Sequence, residues 1–187
     1  NKENYILDSG EPVEIFYELR NDIEKLSVAQ YFADVANYVS MVDEDCEELL
    51  SLISNCFYVL AKKDKNTDLV KCVFEIKIAL LSGFFPEFSG CDICGTVTEN
   101  MYFSQIKGEL FCGKCINSGR VYEYKKINNS VFSALKYIAD NSVNKALAFS
   151  LNDDNLKKLN EVTEELLAVQ LEKNFETLKF YKSFTKL

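Results

Sequence analysis

Histidine is absent from all 187 residues, which removes Ser-His-Asp and Cys-His catalysis and every metal site that needs an imidazole. Arginine is nearly as scarce, limited to Arg20 and Arg120, and the net charge is -8. Phosphate contacts rest on dense Lys/Arg surfaces, so the chain by itself is not built as a strong nucleic-acid binder, although a local basic stripe remains allowed. Long apolar runs are missing too. The richest, Val73 to Phe85, is interrupted by Glu75, Lys77, Ser82 and Gly83, and nothing approaches the ~20 apolar residues that cross a bilayer. The start, Asn1-Lys2-Glu3-Asn4, lacks both an initiator Met and the basic-then-apolar order of a secretory signal. These absences predict a soluble, cytosolic piece of a longer protein. No internal repeat, low-complexity tract or Pro-rich linker divides it.

Nearly half of the residues are hydrophobic (48%), enough for one main core with a small embedded module. Ile15, Leu19, Ile23, Leu26, Ala29, Ala33 and Ala36 recur at helical spacing and predict an amphipathic helix from Glu14 to Tyr38, started after Pro12. Asp43-Glu44-Asp45 suits the positive end of a second helix with Leu49, Ile53, Cys56 and Leu60 buried. Lys62 to Asn66 reads as a turn. A third helix, from about Thr67 to Ser82, is apolar almost all round and therefore central; Gly83 and Pro86 end it. From Phe88 to about Lys126 the helical period vanishes, and Met101-Tyr102-Phe103 and Leu110-Phe111 flank a turn from Gln105 to Gly108. Helices resume at Ser130, and a last long one begins near Asp153, capped by Asp153 or Asp154 and running through Leu178. The expected fold is mainly α: a helical bundle with an inserted β module. Its expected divisions are 1–12 as a linker or remnant of a preceding domain, 13–87 and 127–187 as the two parts of the bundle, and 88–126 as the insert.

The insert carries the most specific signal. Cys91-Asp92-Ile93-Cys94 and Cys112-Gly113-Lys114-Cys115, with 17 residues between the pairs, have the spacing of a tetrahedral four-thiolate Zn2+ site of the zinc-ribbon kind, with Gly95 and Gly113 permitting tight knuckles. Four thiolates leave no open position, so such a metal is structural. Disulfides, or a CxxC redox pair, are the alternatives. A cytosolic setting disfavours the first, and the redox motif belongs before a helix of a βαβ unit that is missing here.

Other candidates weigh less. Cys56 and Cys72 fall on apolar faces, and Cys46 sits among acids, none of them the electropositive setting that makes a thiol reactive. Tyr102, Phe103, Phe111, Tyr122 and Tyr124, near Lys107, Lys114, Arg120, Lys125 and Lys126, form either the module's core or a base-stacking platform. Carboxylates sit at ordinary helical spacing and read as solvent-exposed surface, with no pair placed for acid/base work. No catalytic residue is expected.

The run Phe74-Glu75 through Gly83-Phe84-Phe85-Pro86-Glu87-Phe88, followed by Cys91-x-x-Cys94-Gly95, Tyr102-Phe103-Ser104, Gly108 and Cys112-x-x-Cys115, resembles the C-terminal part of the RecO family of recombination mediators. Ile15-Phe16, Leu19-Arg20-Asn21-Asp22 and Tyr31-Phe32-Ala33-Asp34 resemble its first helix after the N-terminal domain, and Phe175-Glu176-Thr177-Leu178-Lys179-Phe180 its closing helix. Two places depart from the family pattern: Cys72 and Val73 stand where basic residues are common, and Glu176-Thr177 replaces a Lys-Ser step. The resemblance implies a non-enzymatic, cytoplasmic and nucleoid-associated role in bacterial DNA repair. An N-terminal OB-fold, which carries most single-stranded DNA binding, would precede this part. The partners implied are RecR and the acidic C-terminal tail of the single-stranded-DNA-binding protein, in promotion of RecA loading. That tail needs an apolar pocket rimmed by Lys or Arg, and Lys71 and Lys77 lie near the expected place. A different class of function, a stand-alone zinc-ribbon module that binds nucleic acid, is the alternative.

Overall fold

The computed structural model describes residues 6, 8–40, 46–104, 106–119 and 123–185. Eight helices and three strands follow one another among them: α1 (Ile23–Val39), α2 (Glu47–Lys62), α3 (Thr67–Leu81), β1 (Asn100–Ser104), β2 (Glu109–Cys112), α4 (Gly113–Asn117), β3 (Lys125–Asn128), α5 (Asn129–Asp140), α6 (Val143–Ala146), α7 (Asp153–Gln170) and α8 (Glu176–Thr185). The mainly helical fold with a small β module is the one the sequence predicts.

The first helix begins later than its periodicity indicates. Tyr17–Asn21 is a short 3-10 turn, and Asp22, in extended backbone, caps α1 with its carboxylate on the N–H groups of Glu24 (2.9 Å) and Lys25 (3.2 Å). A cap of this kind stabilises a helix start by about 1 kcal/mol, and it sets α1's rotation. Val28, Tyr31, Phe32 and Val35 point inward, whereas Ile15 and Ile23 are about half exposed and Ala33 faces solvent. The expected Asp43-Glu44-Asp45 start of α2 lies outside the described residues, as does Gln105 of the hairpin turn; Leu52, Cys56, Val59 and Leu60 form the inner face of α2. Asn66 caps α3 through Leu69 N–H.

The centre of the molecule is α3, as its all-round apolarity predicts. Val73, Phe74, Ile76 and Ile78 are fully covered, Phe74 stacks on Phe32 of α1 at 4.1 Å, and α2, α5 and α7 pack around it. It closes at Ser82, after which Gly83 turns the chain at φ 77, a conformation natural only to glycine. At the far end, Asn152 caps α7 in place of Asp153 or Asp154, which fall in the first turn. The single closing helix expected from the periodicity is two helices. Leu171 ends α7, Glu172 takes a left-handed φ of 50, and the chain reverses so that α8 lies against α1. Thr177 donates to Asp34 (2.8 Å) and Tyr181 to Asp68 (2.8 Å) to fix α8 there.

β1 is the middle strand of one antiparallel sheet, order β2-β1-β3. Met101 pairs with Cys112 and Ile127, and Phe103 with Leu110 and Lys125. Met101, Phe103, Leu110 and Ile127 are buried toward the bundle, where Phe88 bridges Phe103 (5.7 Å) and Phe132 of α5 (5.9 Å). The core of the module is continuous with that of the helices.

Candidate metal centre and lysine-rimmed groove

The hairpin β1-β2 brings the two CxxC pairs to one point. The sulfurs of Cys91, Cys94, Cys112 and Cys115 all lie within 4.8 Å of one another, and Cys94 Sγ stands 3.6 Å from Cys112 Sγ. Tetrahedral ligands at a Zn–S bond of about 2.3 Å are separated by about 3.8 Å, so the arrangement fits one ion with little adjustment. Four soft sulfur donors suit a thiophilic metal and leave no position for water.

Each ligand is placed by its backbone. In the first knuckle Gly95 N–H returns to Cys91 C=O (2.7 Å) and Cys91 N–H reaches Thr96 C=O (3.1 Å). Gly95 adopts φ 71, and a Cβ on Gly90 would sit 2.5 Å from Gly95 C=O, so the loop closes only with glycine at both places. The second knuckle differs from the expectation: Gly113 has no unusual backbone and simply opens α4, which turns Cys115 back toward Cys112. Asp92 joins the halves. Its N–H donates to Leu110 C=O (2.8 Å), and its carboxylate accepts from Leu110 N–H (2.5 Å), so the first knuckle is bonded to the strand that ends in Cys112. Sequence spacing gave no sign of this residue.

Exposure is uneven. Cys91 and Cys112 are buried, Cys115 is partly covered and Cys94 is exposed. Thr96, whose Oγ1 lies 3.4 Å from Cys94 Sγ, and the neighbouring thiols of Cys115 and Cys112 draw the Cys94 thiol down to about 6, whereas burial and the thiols of Cys94, Cys112 and Cys91 push Cys115 up to about 12. A cation that binds here takes the place of thiol protons, so its hold weakens as the pH falls.

Cys56 and Cys72 are buried in the hydrophobic core, and Cys46 is partly exposed at the start of α2. Burial pushes the Cys56 and Cys72 thiols far up, and Cys72 donates to Asn160 Oδ1 (3.0 Å). Phe103 and Phe111 are core. Among the described aromatic candidates, Tyr124 is exposed and Tyr102 half-buried, edge to face at 5.4 Å, with Lys126 opposite Tyr102 in register. Arg120 and Tyr122 lie outside the described residues.

Of the two lysines expected to rim a pocket, Lys71 does not, whereas Lys77 lies in the wall of a hollow of about 670 Å³ together with Leu52, Leu80, Leu81 and Val143. Lys71 is fully buried, bonded to Glu75 (3.1 and 3.2 Å) and Glu164 (3.0 Å), and Lys77 Nζ donates to the Ala139 (3.1 Å) and Asn141 (2.6 Å) carbonyls at the end of α5. These glutamates correct the reading of every carboxylate as surface. Lysines gather instead beside α8, where a groove of about 410 Å³ has Leu167, Phe175 and Leu178 among its walls and Lys125, Lys173, Lys179 and Lys182 along it. Lys173 lies over Tyr38 and Phe175 (4.1 and 5.0 Å). Glu164 and Glu165 of α7 hold Lys182 and Lys125. No residue pattern announced this groove, because the break between α7 and α8 creates it.

No described helix is long and apolar enough to cross a membrane. The family model for the C-terminal part of recombination protein O matches residues 20–179. The DNA repair protein RecO of Acetivibrio thermocellus is 32% identical over 187 residues, which is all of this chain and 74% of that protein. The RecO proteins of Alkaliphilus metalliredigens (28%, covering 95% of this chain and 72% of theirs) and Caldicellulosiruptor bescii (27%, 97% and 72%) are similar as well.

Proposed function

This chain belongs to the RecO family of DNA repair proteins, and from that premise we propose that it is a non-enzymatic, cytoplasmic scaffold of recombinational repair that works through protein contacts. The observation that carries the reading is the match over residues 20–179, supported by the lack of any histidine and by thiols buried away from chemistry. Its partners in this reading are RecR and the acidic tail of the single-stranded-DNA-binding protein, and the outcome of these contacts is RecA loading. Strong single-stranded DNA binding belongs to an OB-fold preceding this part, which accords with a net charge of -8.

In the same reading Cys91, Cys94, Cys112 and Cys115 hold a structural Zn2+, and the stretch from Phe88 through β3 is a metal-clamped insert between the two parts of the bundle. The groove beside α8 is the place for an acidic peptide with an apolar end. Its floor takes the apolar side chain, and the ammonium groups of Lys173 and of Lys179, the latter exchanging its exposed pairing with Glu176, meet the carboxylates. Charged pairs that become desolvated at such a contact dominate its affinity.

A labelled acidic peptide with an aromatic C-terminal residue is expected to bind the chain, and Lys173→Glu with Lys179→Glu to weaken it at least tenfold, measured by fluorescence anisotropy. Unchanged affinity in the double variant removes the groove from the proposal. Tight binding of a single-stranded oligonucleotide with a steep salt slope would favour a zinc-ribbon nucleic-acid module instead.

A further inference from the structure

We propose that the four-cysteine centre is a redox-released metal site, in which peroxide converts Cys94 and Cys112 to a disulfide that expels the ion yet keeps the two knuckles joined. The inference rests on the reading of this centre as a metal site and adds which sulfurs leave it, in which order, and what remains folded afterwards.

Three observations lead there. Cys94 is the exposed member of the four, while Cys91 and Cys112 are buried, so an oxidant arriving from solvent meets Cys94 first. Its sulfur is 3.6 Å from that of Cys112, close enough for side-chain rotation to reach the S–S bond length of about 2.05 Å. Cys112 ends β2 in register with Met101, and the loop carrying Cys94 is already tied to β2 through Asp92 and Leu110. The two halves to be cross-linked are therefore held side by side by backbone bonds that do not involve the metal.

The chemistry balances with a hydroperoxide as oxidant. The Cys94 thiolate attacks an oxygen of hydrogen peroxide, the O–O bond breaks, and a sulfenic acid and hydroxide result. The Cys112 thiolate then attacks the sulfenic sulfur and displaces hydroxide, so two thiolates are oxidised and one hydrogen peroxide is reduced to two hydroxides. Cys91 and Cys115 remain as two ligands, too few to hold the ion in a closed tetrahedral site. The new covalent bond joins one sulfur of each knuckle. Oxidised metal-free chain should thus resist proteolysis within the module, whereas chain stripped by a chelator under reducing conditions should be cut there. A thiol reductant with added Zn2+ should restore the original state.

The test begins with chain shown by elemental analysis to hold one equivalent of zinc. On titration with hydrogen peroxide we expect about one equivalent of zinc to reach a chromophoric chelator, in step with a Cys94–Cys112 peptide pair seen by non-reducing mass spectrometry. Cys46→Ser, which removes the other partly accessible thiol outside the centre, should behave as the parent. Zinc retained at full peroxide consumption overturns the proposal, and so does a Cys91–Cys94 link, or loss of release in Cys46→Ser. Purified chain without metal would sink the metal reading separately. In that case the pairing is still decided, because the peptide map of the oxidised metal-free chain either shows Cys94 with Cys112 or does not.

Discussion

Cys112→Ser, or removal of the metal by a chelator under reducing conditions, is expected to unfold the stretch from Phe88 to Asn128 while most of the helical circular dichroism persists. The module has a three-stranded sheet of four or five residues per strand and one short helix. A sheet of that size has little apolar surface of its own to offset the entropy of ordering its loops. Binding of structural Zn2+ by small sites releases about 10–16 kcal/mol, so an ion held by the four sulfurs would decide whether the loops around Gly90–Gly95 and Cys112–Ser118 are ordered. The bundle does not depend on it in the same way, since Val73, Phe74 and Ile76 are covered by α1, α2 and α7. The loss reaches the bundle along α5 and α7, where Phe88 leaves Phe132, Lys125 leaves Glu165, and Asn128 gives up Asn155 and its cap on α5. Limited proteolysis with mass mapping should show new cuts between Phe88 and Asn128, with helical ellipticity reduced by little more than α4. Collapse of the whole helical signal would show that the module and bundle fold as one unit.

How much of this was legible beforehand follows from the range of each interaction. The four sulfurs are found from sequence because ligand spacing is local: two knuckles and a hairpin of fixed length bring them together whatever the rest of the chain does. The centrality of α3 is legible for a similar reason, since a helix apolar on every side has nowhere to go but inside. The start of α1 is not, because Asp22 competes with a continuing amphipathic pattern through two short hydrogen bonds that composition does not rank. The break between α7 and α8 carries neither glycine nor proline; Glu172 accepts a left-handed backbone there. A positive φ in a non-glycine residue is set by tertiary packing, here α8 against α1. The groove and its lysines depend on that break, and so fell outside the reading. Lys71 and Glu75 mislead most. At i and i+4 on a helix they look like a solvent-exposed pair, and only the approach of Glu164 and Thr163 from α7 and of Tyr31 from α1 reveals that they are inside.

That buried cluster yields the second large effect. Lys71→Met keeps the volume of the side chain but removes the one ammonium that faces both Glu75 and Glu164, and a loss of about 3–5 kcal/mol is expected on breaking a buried pair. Glu164 retains Lys182. Glu75 keeps only the hydroxyls of Tyr31 (2.9 Å) and Thr163 (2.6 Å), which bond a carboxylate without neutralising it. The dependence on pH separates this cause from simple misfitting. Burial already pushes the Glu75 carboxyl up, against Lys71, Thr163 and Tyr31, and without Lys71 it rises further. A carboxyl with a raised folded pKa costs stability once the unfolded chain ionises, so the penalty of Lys71→Met should be large at pH 7 and shrink as the pH falls toward 4.5. Glu164 behaves oppositely: burial pushes it up, but Lys71 and Lys182 together hold it below its ordinary value. Its contribution in the parent chain is present above that value and is lost as the pH falls through the lower, folded one. The double variant Lys71→Met/Glu75→Gln removes both unlike charges and should recover most of the stability, because the neutral amide can accept from one of the Tyr31 and Thr163 hydroxyls through its oxygen and donate to the other through its NH2. Urea unfolding of the parent chain, Lys71→Met, Glu75→Gln and the double variant at pH 7 and pH 4.5 gives the coupling directly. Equal losses for the single and double variants, or a penalty that does not change with pH, would mean that the fit of the lysine stem, and not its charge, is what α3 requires at this position.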